Sequence, residues 1–248
     1  MKALILAAGY ATRLYPLTID NPKALLPVKG RAILDYITDE IETIDEINEI
    51  VVISNHRFFA RFLQCRDERQ KQSTKKITIL DDGTSSEEIK LGAIGDMQFA
   101  IEALHIDEDI VVIAGDNLFT YRLKDSFDAF IHSGTDMVLA KQIPVLSELQ
   151  RMAVGILDTN NLIVDMEEKP KNPKSDIAFF ATYYYKRDTI PLIKEYLDQG
   201  NTPDAPGNFP AWLYVRKPVM AYLFDGECVD IGTPESYEEV QHSFPFKR

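Results

Sequence analysis

Cysteine and histidine are scarce in this 248-residue chain, which has two of the first and four of the second. Cys65 and Cys228 have no partner at metal-ligand spacing, and His56, His105, His132 and His242 form no ligand pattern. No zinc site or disulfide framework is expected, and a reduced, cytoplasmic setting is the simplest one. Long apolar runs are also missing. None approaches the roughly 20 residues needed to cross a bilayer, so no membrane partner is expected. The opening MKALILAAG is too short for a signal peptide and runs into Gly9-Tyr10-Ala11-Thr12-Arg13 without a small-residue cleavage pattern. It reads as a buried first strand. Positive charge is in deficit, with 27 Lys and Arg against 39 Asp and Glu, a net charge of −12. That argues against a nucleic-acid partner or an anionic membrane surface, since both require a basic footprint. An anionic small ligand would need the few cations to converge in one cleft.

What is present is hydrophobic periodicity. Ala3 to Ala7 is a short apolar run ending at Gly9, suited to a buried parallel strand. Residues 33–47 place Ile33, Ile37, Ile41 and Ile44 at helical spacing. Strand patterns at 50–53, 76–80 and 110–114 alternate with helical ones at 57–72 and 91–104. Such alternation predicts right-handed crossovers and a doubly wound α/β fold with a mostly parallel, mixed sheet. Beyond Asp136 the texture changes. Residues 137–141, 154–157, 162–166 and 177–185 read as strands, with a hairpin-like connection at Asp158 to Asn161. Tyr183, Tyr184 and Tyr185 should face alternate sides of their strand. A helix near 190–197, a strand at 219–224 and a helix after Pro234 follow. The Pro/Gly-rich stretch 203–210 reads as a loop. A single domain is expected, with a nucleotide-binding half over about 1–116 and an acceptor-binding half over about 117–248.

The densest segment is Gly9 to Thr18 with Asn21-Pro22-Lys23. It leaves the C-terminal end of the first strand, where open α/β sheets place their ligands. A triphosphate there needs unobstructed backbone N–H groups, hydroxyls and fixed cations; Ala8, Gly9, Ala11, Thr12, Arg13 and Lys23 supply them. The segment is neither a Walker loop nor a G-x-G-x-x-G fingerprint. On residue types alone, an ordinary strand-to-helix turn with a surface Arg explains it equally well.

The longer pattern resembles the sugar nucleotidyltransferase (nucleoside-diphosphate-sugar pyrophosphorylase) family, typified by glucose-1-phosphate thymidylyltransferases. Its signature G-x-G-x-R-x-x-P-x-T-x-x-x-P-K is met at Gly9, Arg13, Pro16, Thr18, Pro22 and Lys23, with Ala11 in place of the second Gly. The likeness extends through Ala114-Gly115-Asp116, Glu168-Lys169-Pro170 and Val229 to Glu235. It implies a Rossmann-like nucleotidyltransferase fold and a reaction that joins a nucleoside triphosphate to a phosphorylated acceptor, releasing pyrophosphate.

Each further residue has a competing reading. Asp116 follows an apolar strand, so its carboxylate can hold Mg²⁺, which prefers oxygen ligands; it can equally initiate a turn before Asn117. The resemblance makes Asp116 and Asp230 the two metal ligands, although Asp230 could simply cap the helix whose cap and first turn are read at Thr233 and Pro234. Glu168 can accept hydrogen bonds from sugar hydroxyls, and Lys169 offers a point charge for a phosphate. The resemblance assigns Lys169 to the acceptor's phosphate, with Arg13 and Lys23 on the triphosphate as the other catalytic cations. Gly83 and Gly92 resemble base-reading segments, where backbone approaches a flat ring. Two segments depart from the family: Met152-Ala153-Val154-Gly155 stands for an expected Tyr-Gly-Val-Val, and Phe180-Ala181-Thr182-Tyr183 for Thr-Gly-Ile-Tyr. Ala153 and Tyr183 therefore belong to an acceptor wall that looks remodelled. The acceptor expected is a sugar 1-phosphate; a phosphorylated alcohol such as phosphocholine, used with CTP, is the alternative. A non-catalytic nucleotide-binding regulator is the alternative of another class. The base and any homo-oligomer are left open, and no fused second enzyme is expected.

Overall fold

The apolar runs become strands in a computed structural model, which describes residues 1–245. In chain order these are β1 (Lys2–Leu6), β2 (Pro27–Val28), β3 (Arg31–Ala32), β4 (Glu49–Ser54), β5 (Lys76–Asp81), β6 (Ile110–Ala114) and β7 (Asn117–Phe119). There follow β8 (Asp136–Gln142), β9 (Ala153–Leu157), β10 (Ile163–Glu168), β11 (Ile177–Tyr185), β12 (Val219–Leu223) and β13 (Cys228–Asp230). The chain clusters into two compact units. Of the described residues, the first holds those up to Leu91, Ile113–Lys124 and 226–245; the second holds Gly92–Val112 and Asp125–Asp225.

In the first unit β1, β4 and β5 run parallel, with Lys2 opposite Glu49 and Glu49 opposite Lys76. Ile50 to Ile53 is continuously apolar and buried along its length, as befits a strand covered on both faces. The helix Ile33–Glu42 makes the first crossover and buries Ile33, Leu34, Ile37 and Ile41. The periodicity predicts this helix as far as residue 47, and it stops five residues earlier. Ile44 N–H returns to Ile41 O at 3.1 Å, tightening the last turn, so Ile44 and Ile47 reach the core from a turn. Helix Phe59–Arg69 makes the second crossover. The chain runs outward from β1 to β4 to β5, while the end of β6 lies on the other flank of β1. Gly115 N–H donates to Leu6 O at 2.9 Å there. The C-terminal ends of β1 and β6 thus form a topological switch point, the place where such sheets bind ligands.

One charged group is built into this unit's sheet. Glu49 receives Lys2 and Lys76 from the flanking strands at 2.6 Å each, and the Thr78 hydroxyl at 2.6 Å. Burial alone would raise its carboxyl; these partners outweigh burial and pull it down to about 2.

In the second unit β11 pairs antiparallel with β8 and β9, β9 with β10, and β12 runs parallel to β8. The three tyrosines do alternate, but both faces are covered. Tyr183 and Tyr185 stack at 6.0 Å on one face, while Tyr184 bonds Ser126 at 2.7 Å and stacks on Phe130. Residues 203–210 are not wholly a loop. Helix Asn208–Leu213 starts inside them, because Pro210 falls in its first turn, where the missing N–H is no loss. Helix Leu123–Ser133 is the longest element the periodicity reading passes over, along with the short helix Leu146–Leu149 and strands β2, β3, β7 and β13; its Leu123, Phe127 and Phe130 are buried.

Candidate active site

The chain leaves β1 at Leu6 and turns sharply at Ala11, which has φ 48° and ψ 44°. This is the left-handed conformation that glycine adopts without penalty, and an alanine there costs roughly 1–2 kcal/mol. The departure from the signature at Ala11 is therefore a change of residue at a backbone shape glycine favours. Thr18 Oγ1 and Leu14 N–H both bond the Ala11 carbonyl, at 2.8 and 2.9 Å, and hold the turn. A 3₁₀ turn follows at Thr12–Leu14, with Thr12 and Arg13 exposed. A second begins at Lys23, directly after Pro22.

Three side chains meet beside this loop. Lys23 Nζ lies 2.8 Å from Asp116 Oδ2 and 2.6 Å from Asp230 Oδ1. Burial works against the Lys23 charge, but the two carboxylates outweigh it and hold the amine above the usual lysine range. Asp116 is placed by the β1–β6 register and by Gly115. A Cβ at Gly115 would stand 2.9 Å from Leu6 O, so only glycine lets the chain pass this close. Asp230 is placed by β13, which pairs antiparallel with β7 and sets Asp230 opposite Asn117. The capping role belongs to Thr233, which forms a reciprocal capping box with Ser236 ahead of helix Pro234–Ser243. Asp230 therefore does not serve as the cap.

These side chains line a cleft of about 190 Å³ together with Gly9, Ala11, Arg13, Gly115 and Gly232. Asp116 and Asp230 present oxygen donors that converge on one cation position, a donor set that fits magnesium. No cluster of three His, Cys, Asp or Glu forms among the described residues. Two carboxylates suffice for an ion that habitually completes its shell with water and phosphate oxygens.

The loop after β5 borders the signature loop. Tyr10 Oη and Thr84 Oγ1 are 3.3 Å apart, and Asn55 Nδ2 donates to Ala8 O at 2.8 Å. Gly83 takes φ +77° with no atom within 4 Å of a would-be Cβ. Its N–H donates to Asp81 at 2.9 Å, and Asp81 also pairs with His56 at 2.6 Å. Gly92 is different. It belongs to the second unit, where a Cβ would strike the Pro203 carbonyl group at 2.8 Å.

The acceptor-side candidates also lie in the second unit. Ala153 and Glu168 face each other across the β9–β10 pair, and Lys169 N–H donates to Met152 O at 3.0 Å. Lys169 has φ 50° and an exposed side chain whose Nζ stands 3.5 Å from Glu168 Oε1. Burial raises the Glu168 carboxyl, with Lys169 only partly compensating. Tyr183 is buried nearby, its hydroxyl pushed up by burial and by the Glu168 charge. Gly207 completes the group. A Cβ there would fall 2.2 Å from Glu168 Oε2 and 3.2 Å from the Ala153 methyl.

A model of the nucleotidyl transferase family matches residues 2–245. The chain belongs to the nucleotidyl transferase family. Among curated members, a UTP–glucose-1-phosphate uridylyltransferase of Haloferax volcanii is 26% identical, covering 97% of this chain and 95% of its own. A glucose-1-phosphate adenylyltransferase of Fervidobacterium nodosum is 28% identical over 95% of this chain. The chain spans only 42% to 62% of the length of several such relatives. A UDP-glucose pyrophosphorylase solved with UDP-glucose superposes with a TM-score of 0.80 at 22% identity, covering 98% of this chain and 97% of the other. At that identity the likeness establishes the nucleotidyltransferase fold.

Within this nucleotidyl transferase chain, Tyr10 and Thr84 fall in segments the motif reading singles out, but their contact does not follow from sequence. Motif reading passes over Asn55, which holds the Ala8 carbonyl, and gives no role to His56, which pairs with Asp81. It also passes over Gly207, which lets Glu168 sit where it does and whose only sequence signal is its place in a proline-rich stretch.

Proposed function

We propose that this protein transfers a nucleoside monophosphate from a nucleoside triphosphate to a sugar 1-phosphate, releasing pyrophosphate in a magnesium-dependent reaction. The observation that carries the reading is the convergence of Asp116 and Asp230 on one cation position beside Arg13 and the open backbone of Gly9. The names of the uridylyl- and adenylyltransferase relatives both specify glucose 1-phosphate, which supports a sugar 1-phosphate acceptor. We further propose that both units serve one catalytic domain, in the cytoplasm, where the cysteines Cys65 and Cys228 stay reduced.

The mechanism follows from charge and positioning. An acceptor phosphate oxygen attacks the α-phosphorus in line, and pyrophosphate leaves with the electron pair of the broken bond. No covalent enzyme intermediate is required. Arg13 and Lys23 neutralise the triphosphate, and backbone N–H groups of the Ala8–Thr12 turn bind its oxygens. Lys169 holds the acceptor's phosphate, while Glu168 and the surface around Ala153 receive the sugar. Gly83 and Gly92 are assigned to the base side. Asp116 and Asp230 would hold magnesium, which would supply charge neutralisation at the phosphates. Fixed charges of this kind act by lowering the repulsion between two anionic substrates and orienting them.

The test measures pyrophosphate release from ATP, CTP, GTP and UTP, each offered with glucose 1-phosphate, mannose 1-phosphate and phosphocholine. Release dependent on a sugar 1-phosphate supports the proposal. Release with CTP and phosphocholine alone replaces the acceptor, and no release from any pair overturns the reading.

A further inference from the structure

Lys23 stands where the carboxylates of Asp116 and Asp230 would otherwise need a cation. Its side chain is 11% exposed, while those of Asp116 and Asp230 are 38% and 70% exposed. A buried ammonium thus closes a carboxylate pair that itself reaches solvent. A divalent ion and this ammonium cannot share the position, because two cations at hydrogen-bond range repel strongly away from bulk water. A divalent ion arriving alone would also find no third carboxylate, histidine or cysteine among the described residues, and it dehydrates reluctantly for two ligands.

A triphosphate changes both sides of that competition. It offers Lys23 another anionic partner within the cleft that Lys23 and Arg13 line together, and a lysine's flexible four-carbon stem can follow it. It also supplies the phosphate oxygens a magnesium-like ion needs. We propose that Lys23 is a resident counter-ion that keeps the Asp116–Asp230 pair closed to divalent cations until a triphosphate draws its ammonium away. Cation and nucleotide then enter as a coupled pair, and the carboxylates stay neutralised between turnovers. This inference rests on the metal and triphosphate roles assigned under the proposed function.

The experiment is Mn²⁺ binding followed by electron paramagnetic resonance at fixed free Mn²⁺. It compares the unmodified protein with Lys23→Met and Lys23→Gln, each with and without the α,β-methylene analogues of the four triphosphates. Without analogue, both variants should bind Mn²⁺ about tenfold or more tightly than the unmodified protein. Adding the analogue should strengthen Mn²⁺ binding by the unmodified protein about tenfold more than binding by the variants, within the 5–150-fold usual for coupled sites. Mn²⁺ binding by the variants no tighter than that of the unmodified protein overturns the inference. Should either variant melt early by circular dichroism, the unmodified protein decides alone: equal Mn²⁺ affinity with and without analogue also overturns it. A separate arm with Asp116→Asn plus Asp230→Asn isolates the underlying reading. If Mn²⁺ binding with the analogue survives that double change, the metal assignment itself has failed.

Discussion

Gly92 and Gly83 form a matched pair of perturbations. Their φ angles are nearly identical, +79° and +77°, yet a Cβ at Gly92 would lie 2.8 Å from both C and O of Pro203, while one at Gly83 meets nothing within 4 Å. Alanine at either position incurs the left-handed penalty of roughly 1–2 kcal/mol. Stiffening the unfolded chain returns about 0.4–1 kcal/mol of it. Gly83→Ala should therefore destabilise by about 1 kcal/mol or less. Gly92→Ala adds an overlap with a peptide group, which cannot swing away as a side-chain tip would. The same Pro203 carbonyl accepts from Ile94 N–H at 2.9 Å, so any retreat stretches that bond at the start of helix Ala93–Leu104. Overpacking of this kind costs about 1–3 kcal/mol, bringing the loss at Gly92 to roughly 1–4 kcal/mol by the sum of these terms. Urea unfolding of both variants measures the difference as midpoint shifts at unchanged slope. Losses equal to within about 0.5 kcal/mol, the usual scatter of a surface substitution, would refute the contact with Pro203 as the reason for glycine at residue 92.

Asp116→Asn and Asp230→Asn should each lower turnover by roughly 10²–10³ with the fold intact, the usual cost of losing one placed charge stabiliser; near-normal rates at saturating Mg²⁺ would refute the assignment. Glu49 is depressed on folding, so its stabilisation is complete above its ordinary value of 4.5 and drains away as pH falls towards about 2. Glu49→Gln should cost about 1–2 kcal/mol at neutral pH, after discounting for solvent screening, and should flatten acid unfolding across that window; thermal melts from pH 7 to pH 2 check both. Gly207→Ala should push the Glu168 carboxylate aside, because that atom is a side-chain tip, while crowding at the Ala153 methyl, 3.2 Å away, costs about 1 kcal/mol. The acceptor KM should rise while the nucleotide KM holds, and substrate titrations showing equal effects on both would remove Glu168 from the acceptor side.

The strands were legible because their signals are local. Ile110 to Ala114 and Ile177 to Tyr185 match the expected spans residue for residue, since an apolar run or alternation between turn residues leaves few alternatives. Ends and short elements were less legible. The turn at Thr43 and the helix starting at Asn208 depend on where backbone N–H groups find partners, which periodicity does not encode. In the first unit, Asp116 and Asp230 sit at or just past strand ends and Lys23 opens a 3₁₀ turn after Pro22, so all three could be singled out from motif and position. Their contact could not, because it depends on the β7–β13 pairing between distant segments. His56 illustrates the opposite failure: it has no metal-ligand spacing, and only the fold brings it to Asp81.

The partners of Lys23 lie 93 and 207 residues away along the chain. During synthesis, the signature loop is therefore made long before the second carboxylate exists. A chain that has emerged through β6 and Asp116 carries Arg13, Lys23 and one acidic partner, and the other arrives only with β13. Products of interrupted translation that stop short of Asp230 hold most of the recognisable motif and cannot complete the cation position. Assembly of the carboxylate pair around Lys23 thus waits on the completion of β13.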